Sequence, residues 1–172
     1  MVQHDEFVEN LMELESILVK QFRSLQELIE KTRFERKLLL TGDDALMRVV
    51  EDKEALLDQL GLIEDNRRKL VQNLSLAKGI QTETTSINEL LPYLQEDIAE
   101  RFSRLVEGIT TLAFQARDLN RANQAISTTK LEWLKATQSF LIRIAQPEIG
   151  YRPPGSAPVL QRTAGLGVEF RI

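Results

Sequence analysis

Apolar residues recur in steps of three and four along most of the chain, and the longest such series runs from Ile98 to Ile144. These steps average about 3.5 residues, close to the α-helical repeat, so the side chains fall on one stripe of a single helix. We call this set the long stripe; its members are Ile98, Phe102, Leu105, Ile109, Leu112, Ala116, Leu119, Asn123, Ile126, Lys130, Trp133, Thr137, Phe140 and Ile144. Its polar members all lie in the second half. The pattern predicts a core-forming first half and a contact surface in the second half.

Two shorter stripes precede the long one. They predict one helix from about Asp5 to Leu40 and a second from Leu46 to about Lys78. In the turn between them, Gly42 suits the left-handed position after a helix, and Asp43 can accept a hydrogen bond from a free amide of the next helix. So short a turn predicts antiparallel helices. Gly61 lies inside the second helix, where it marks either the close approach of a neighbour or a position that simply tolerates glycine.

A connector and a short helix are predicted before the third long helix. Gly79 is a stop signal for the second helix, and Ser86-Ile87-Asn88-Glu89 has the form of a capping box. Pro92 suits the first turn of a new helix. We therefore expect the third helix to begin near Pro92 and to span about fifty residues, or about 75 Å at 1.5 Å per residue.

The composition of the chain changes at Gln146. Residues 146–172 hold four of the five prolines and four of the eight glycines, which predicts a flexible C-terminal tail. The alternation in Val168–Ile172 fits a strand added to another protein's sheet edge, or a frayed C-terminus. The whole sequence predicts an all-α fold: residues 1–145 form an elongated antiparallel three-helix bundle or coiled coil, with a short extra helix before the third, and the tail follows.

Charge and composition narrow the function. The net charge is −4 and the isoelectric point about 5.2, so neither nucleic acid nor an anionic membrane is an expected partner. Cysteine is absent and His4 is the single histidine, which excludes thiolate metal sites and a Ser-His-Asp triad. No signal peptide or apolar run of about 20 residues occurs, so no membrane insertion is expected. We expect a cytoplasmic protein with no metal, no cofactor and no enzymatic activity.

Two residues of the long stripe each fit two interpretations. Trp133, the only tryptophan, is by default a buried core residue, and otherwise an anchor offered to a partner helix. Asn123 fits a polar residue that fixes helix register, or a donor and acceptor for a partner's backbone. The residues by themselves leave the choice for Asn123 open.

Three segments carry a more specific signal. They are Val50-Glu51-Asp52-Lys53-Glu54-Ala55-Leu56-Leu57 followed by Asn66-Arg67-Arg68, then Asp97-Ile98-Ala99-Glu100-Arg101-Phe102, then Arg117-Asp118-Leu119-Asn120-Arg121-Ala122-Asn123. In order and spacing they resemble the FlgN family of flagellar type III export chaperones for hook–filament junction proteins. The third segment is similar to the family's Leu-Asn-x-x-Asn signature. Tyr151, followed by Pro154-Gly155, is similar to the turn after the last helix in the family.

The resemblance implies a chaperone whose last helix binds the C-terminal helical segments of the hook-associated proteins FlgK and FlgL before export. That is a helix-in-groove interaction, and the client-binding residues it implies are Leu119, Asn120, Asn123, Ile126 and Trp133. It also implies that Tyr151 docks the loaded chaperone on the export-gate protein FlhA. After Asn123 many members of the family continue with large apolar residues, whereas this chain has Ala125-Ile126-Ser127-Thr128-Thr129, which predicts a groove that is shallower or shifted toward Trp133. With the resemblance, core packing is expected to end near Ala116 and the client surface to run from Leu119 onward.

A second interpretation needs no client. The chain would then be a structural coiled-coil scaffold, whose stripes pair only with its own helices or close a homodimer with a second copy. An enzyme is the third interpretation, and it would need a site built without cysteine or an internal histidine.

Overall fold

The computed structural model describes residues 2–80 and 86–145, with side chains from Glu6 onward. Its elements are α1 (Val2–Thr41), α2 (Leu46–Ala77), α3 (Ile87–Leu90), a 3-10 turn (Leu91–Tyr93) and α4 (Glu96–Ala145). No strand occurs in these two ranges. The all-α fold, the three long helices and the short helix before the third are therefore confirmed. The predicted tail, residues 146–172, lies outside the described residues, so the division at residue 145 stays a prediction.

Glycines end the first two helices as the sequence predicts. Gly42 has φ 74° and its N–H donates to the carbonyl of Leu38 at 2.8 Å. Asp43 then accepts a 2.9 Å hydrogen bond from the backbone N–H of Ala45, just before α2. At the end of α2, Gly79 has φ 68° and the N–H of the next residue, Ile80, donates back to Ser75 at 2.9 Å. This six-residue closure is a Schellman motif, which satisfies carbonyls that the helix end leaves free.

The third long helix begins later than predicted. Pro92 lies in the 3-10 turn rather than in the first turn of α4, and Leu94 is extended, with φ −99° and ψ 163°. The helix starts only at Glu96, where Glu96 and Asp97 place negative charge against the positive end of the helix dipole. Pro92 fits either kind of turn, so the residues after it decide the start. The helix has 50 residues, as predicted.

The three long helices pack in an up-down-up order within residues 2–132. Gln21 and Glu64 form a hydrogen bond, as do Lys31 and Asp52, so α1 and α2 are antiparallel. The residue numbers of contacting pairs increase together along α1 and α4, from Glu15–Arg101 to Thr32–Asn123, so these two helices are parallel.

Two clusters of apolar side chains form the core. The first joins all four helices and consists of Leu11, Leu14, Ile17, Leu18, Leu70, Val71, Leu74, Ile87, Leu90 and Phe102. The second joins α1, α2 and α4 and consists of Leu25, Leu28, Ile29, Leu56 and Ala116. Burial of these side chains supplies most of the free energy that holds the helices together, because isolated helices are marginal in water.

The chain divides after Glu132 into two units, and residues 133–145 of α4 are described below by themselves. None of the described helices combines the length and the apolar character that crossing a membrane requires.

Candidate functional site

A group of polar side chains lies between α1, α2 and α4, in the part of the long stripe where the sequence predicts a contact surface. We call this group the polar cluster; it consists of Thr32, Glu35, Lys53, Asn120 and Asn123. Asn123 is only 2% exposed. Its Nδ2 donates to the backbone carbonyl of Thr32 at 2.7 Å and to Glu35 Oε2 at 2.8 Å. Its Oδ1 accepts from Arg36 Nε at 3.2 Å.

The hydrogen bonds of Asn123 use both sides of its amide. A buried amide that lost these partners would be left unsatisfied, which is costly in a low-dielectric interior. The bonds therefore hold α4 in one register along α1. Of the two interpretations left open by the sequence, the structure favours the register-fixing one for Asn123.

A buried ion pair forms the other half of the polar cluster. Lys53 of α2 is 7% exposed, and its Nζ lies 2.6 Å from Glu35 Oε2. The same ammonium donates to Asn120 Oδ1 at 3.1 Å. A buried ammonium is tolerated only when it is paired and hydrogen-bonded, and here α1 and α4 each provide a partner.

Lys130 marks the last contact of α4 with α1 among the described hydrogen bonds. Its Nζ donates to the backbone carbonyls of Leu39 and, at 3.3 Å, of Leu40. The last carbonyls of a helix have no partner inside the helix, and a cation there also complements the helix dipole. Packing of the long stripe against α1 thus continues to Lys130. The expectation that core packing ends near Ala116 is therefore wrong.

The five predicted client-binding residues differ in their surroundings. Leu119 is half-buried and packs against the second core cluster, and Ile126 is also half-buried. Asn120 is exposed, although it accepts the hydrogen bond from Lys53. The structure therefore brings Asn120 and Asn123 into one cluster through contacts with α1 and α2. Whether any of the five contacts a client stays a prediction.

Trp133 has a different environment from the rest of this set. It is 66% exposed, so the default expectation that it is buried core is wrong. Five further large apolar side chains in the next three turns are each more than half exposed: Leu134, Phe140, Leu141, Ile142 and Ile144. We call these six residues the apolar segment. Exposed apolar surface of this extent typically marks a site of interaction with another molecule.

A second charged group lies on α2, away from the polar cluster. Glu64 accepts hydrogen bonds from Arg67 at 2.7 Å and from Arg68 at 2.9 Å. The bond from Arg67 is the main reason that the pKa of Glu64 is lowered, and partial burial opposes this shift. The charges of Glu64, Arg67 and Arg68 on α2 are thus paired with one another. Among the described residues no group of three or more histidines or carboxylates could hold a metal ion.

Comparison with protein families decides what the chain is related to. A family model described as "FlgN protein" matches residues 1–158. The chain belongs to the FlgN family. Membership supports a general role as a flagellar export chaperone that binds flagellar proteins, in a family of chaperones rather than of enzymes. Neither the search of curated proteins nor the search of solved structures returned a match.

The sequence pattern indicated only some of the residues that surround Asn123 of the FlgN signature. Lys53 occupies a stripe position on α2, and a charge at such a position signals a buried partner. Thr32 and Glu35 gave no signal of their own, because their contacts with Asn123 cross 91 and 88 positions of the chain. Pairings of that length depend on how the helices pack.

Proposed function

We propose that the chain is a cytoplasmic, non-enzymatic export chaperone that binds the C-terminal helical segments of FlgK and FlgL. It prevents their premature association and delivers them to the flagellar type III export gate. The observation that supports this proposal is the exposed apolar segment at the end of α4, in a chain that belongs to the FlgN family. Such a surface can shield the apolar face of a client helix.

The five predicted residues contribute in different ways. Trp133 is the anchor, because a large exposed aromatic side chain gains most from burial against a partner. Asn120 is exposed and adds a polar contact at the edge. Leu119, Asn123 and Ile126 act as positioning residues, since Leu119 packs against the second core cluster, Asn123 bonds to α1 and Ile126 is half-buried.

Binding of the full chain to the isolated C-terminal segments of FlgK and FlgL tests this proposal. We expect Trp133→Ala to weaken the complex by at least about tenfold, the usual loss at an interface anchor. Phe114→Ala is the matched control, because Phe114 is also an exposed aromatic residue of α4, at 58%, but lies outside the apolar segment. A wild-type chain that binds neither segment would overturn the proposal, as would equal losses in the two variants.

Docking on the gate protein FlhA is assigned to Tyr151, which lies outside the described residues. We expect Tyr151→Ala to leave client affinity unchanged and to reduce export of the client. Tyr93→Ala serves as the control, since Tyr93 is a half-exposed tyrosine that follows Pro92 in the 3-10 turn. Loss of client affinity in Tyr151→Ala would contradict this division of roles.

The exposed apolar segment also fits the scaffold interpretation, in which a second copy covers it. Sedimentation of the free chain distinguishes the two functions. In a chaperone, the client displaces any second copy of the chain from the apolar segment. Added client should therefore give a complex that contains one copy of this chain. A homodimer that persists with excess client would favour the scaffold.

A further inference from the structure

The apolar segment is wider around the helix than one partner helix needs. At 3.6 residues per turn, successive residues are about 100° apart, so Phe140 and Ile142 mark edges about 200° apart. Trp133, Leu134 and Leu141 project between these edges, as does Ile144. An apolar stripe that faces a single neighbour is about 100° wide.

Another part of α4 shows how wide an apolar arc two neighbouring helices cover. Between Phe102 and Leu119, the apolar side chains of α4 pack against clusters built from both α1 and α2. The outermost of them, Val106 and Leu119, are about 140° apart around the helix axis. The arc of the apolar segment is wider than this arc, which two helices already cover.

Polar residues within the arc do not oppose its burial. The Oγ1 of Thr137 donates to the carbonyl of Trp133 at 2.9 Å, so its hydroxyl is satisfied inside α4. Gln138 is exposed and has a long side chain that can reach water from beneath a partner. A partner can therefore cover the arc without leaving a buried hydroxyl unpaired.

The charges beside the arc indicate the chemistry of the partner. Residues 133–145 contain Lys135 and Arg143 but no acidic residue, in a chain whose net charge is −4. Lys135 lies about 20° beyond the Ile142 edge, and Arg143 lies about 60° beyond the Phe140 edge. Each edge thus has one cation beside it, which complements carboxylates that flank an apolar helix face.

We infer that a client covers the apolar segment with two helical segments at once, each apolar toward α4 and acidic along its outer side. This inference rests on the proposed function and specifies how the client binds: with two helices rather than with one helix in a groove. A single helix in one groove would cover only part of the arc. The two edges of the arc should then contribute separately to affinity.

Substitutions at the two edges test this inference by calorimetric titration of the full chain with the client segment. We expect Phe140→Ser and Ile142→Ser each to weaken binding by about tenfold or more. Ser139→Ala, directly before Phe140 in sequence but on the polar side of the helix, is the matched control and should bind as the wild type does. Both edge residues are more than half exposed, so the variants should keep the wild-type helix content.

The outcomes separate this inference from the proposed function. If the wild-type chain binds no client, the proposed function fails. If it binds and only one edge variant loses affinity, the client uses one helix and the inference is overturned. A complex with two copies of this chain per client also overturns it, because the second copy then covers one edge. Loss at both edges in a complex of one chain and one client supports it.

Discussion

The side-chain amide of Asn123 lies 2.7 Å from the backbone carbonyl oxygen of Thr32, and this hydrogen bond ties α4 to α1 inside the bundle. The same amide also contacts Glu35, which holds Lys53 of α2. Three long helices therefore meet at one set of polar groups. A misplaced register would leave several of these groups buried without partners, which penalises alternative packings of the same apolar stripes.

Asn123→Ala should lower the free energy of unfolding by about 1–3 kcal/mol, since it leaves buried polar groups without their partners. Asn120→Ala is the matched comparison, because Asn120 is exposed and accepts a hydrogen bond from Lys53. We expect that change to cost less than about 1 kcal/mol. Urea unfolding followed by circular dichroism measures both. An unchanged midpoint for Asn123→Ala would contradict a structural role for this residue.

Lys53→Met should destabilise the protein by about 3 kcal/mol, because it leaves the carboxylate of Glu35 nearly buried without its cation. Replacing both residues by Met should cost less than the single change, since no charge is then stranded. Lys31→Met provides the control: Lys31 pairs with Asp52 at 3.1 Å on the surface, where a pair contributes at most about 1 kcal/mol. A double variant less stable than Lys53→Met would argue against this account.

Gly61→Ala should raise the free energy of unfolding by about 0.5–1 kcal/mol, the usual gain in a helix interior. Apart from the adjoining residues and the local backbone of α2, no atom lies within 4 Å of the position that a Cβ would take. The structure therefore supports simple tolerance of glycine here rather than the close approach of a neighbour. Gly108 differs, because a Cβ there would lie 2.8 Å from Cε2 of Phe22. In Gly108→Ala, the cost of displacing that ring should offset the gain in the free energy of unfolding. Equal thermal stabilisation in the two variants would show that the contact is unimportant.

Glu64→Gln should reduce stability at neutral pH and have a smaller effect in acid. The pKa of Glu64 is lowered in the folded protein by the hydrogen bond from Arg67, so the charged form favours folding. That contribution is present above the ordinary pKa of about 4.3 and is lost as the pH falls through the lowered value. Unfolding midpoints of the wild type and the variant, measured from about pH 3 to about pH 7, should differ at neutral pH and converge in acid. A gap between variant and wild type that is constant with pH would contradict the assignment.

Local chemistry in the sequence predicted the helices and their ends. Gly42 and Gly79 adopt the left-handed conformation that few other residues tolerate, so the ends of α1 and α2 could be placed from single residues. Pro92 was less informative, because proline is compatible with both a 3-10 turn and a helix start. The beginning of α4 depended on the extended conformation of Leu94, which no residue type requires.

The sequence by itself determined the fold class, the lengths of the three long helices and the family. The family resemblance rested on the order and spacing of three segments, of which Leu119-Asn120-x-x-Asn123 is part of the third. Periodicity identifies the apolar face of a helix because it depends only on spacing along the chain. Only the tertiary structure decided which part of the long stripe is covered. Asn123 is buried and distant residues of α1 satisfy its amide, whereas Trp133, which belongs to the same stripe, is 66% exposed.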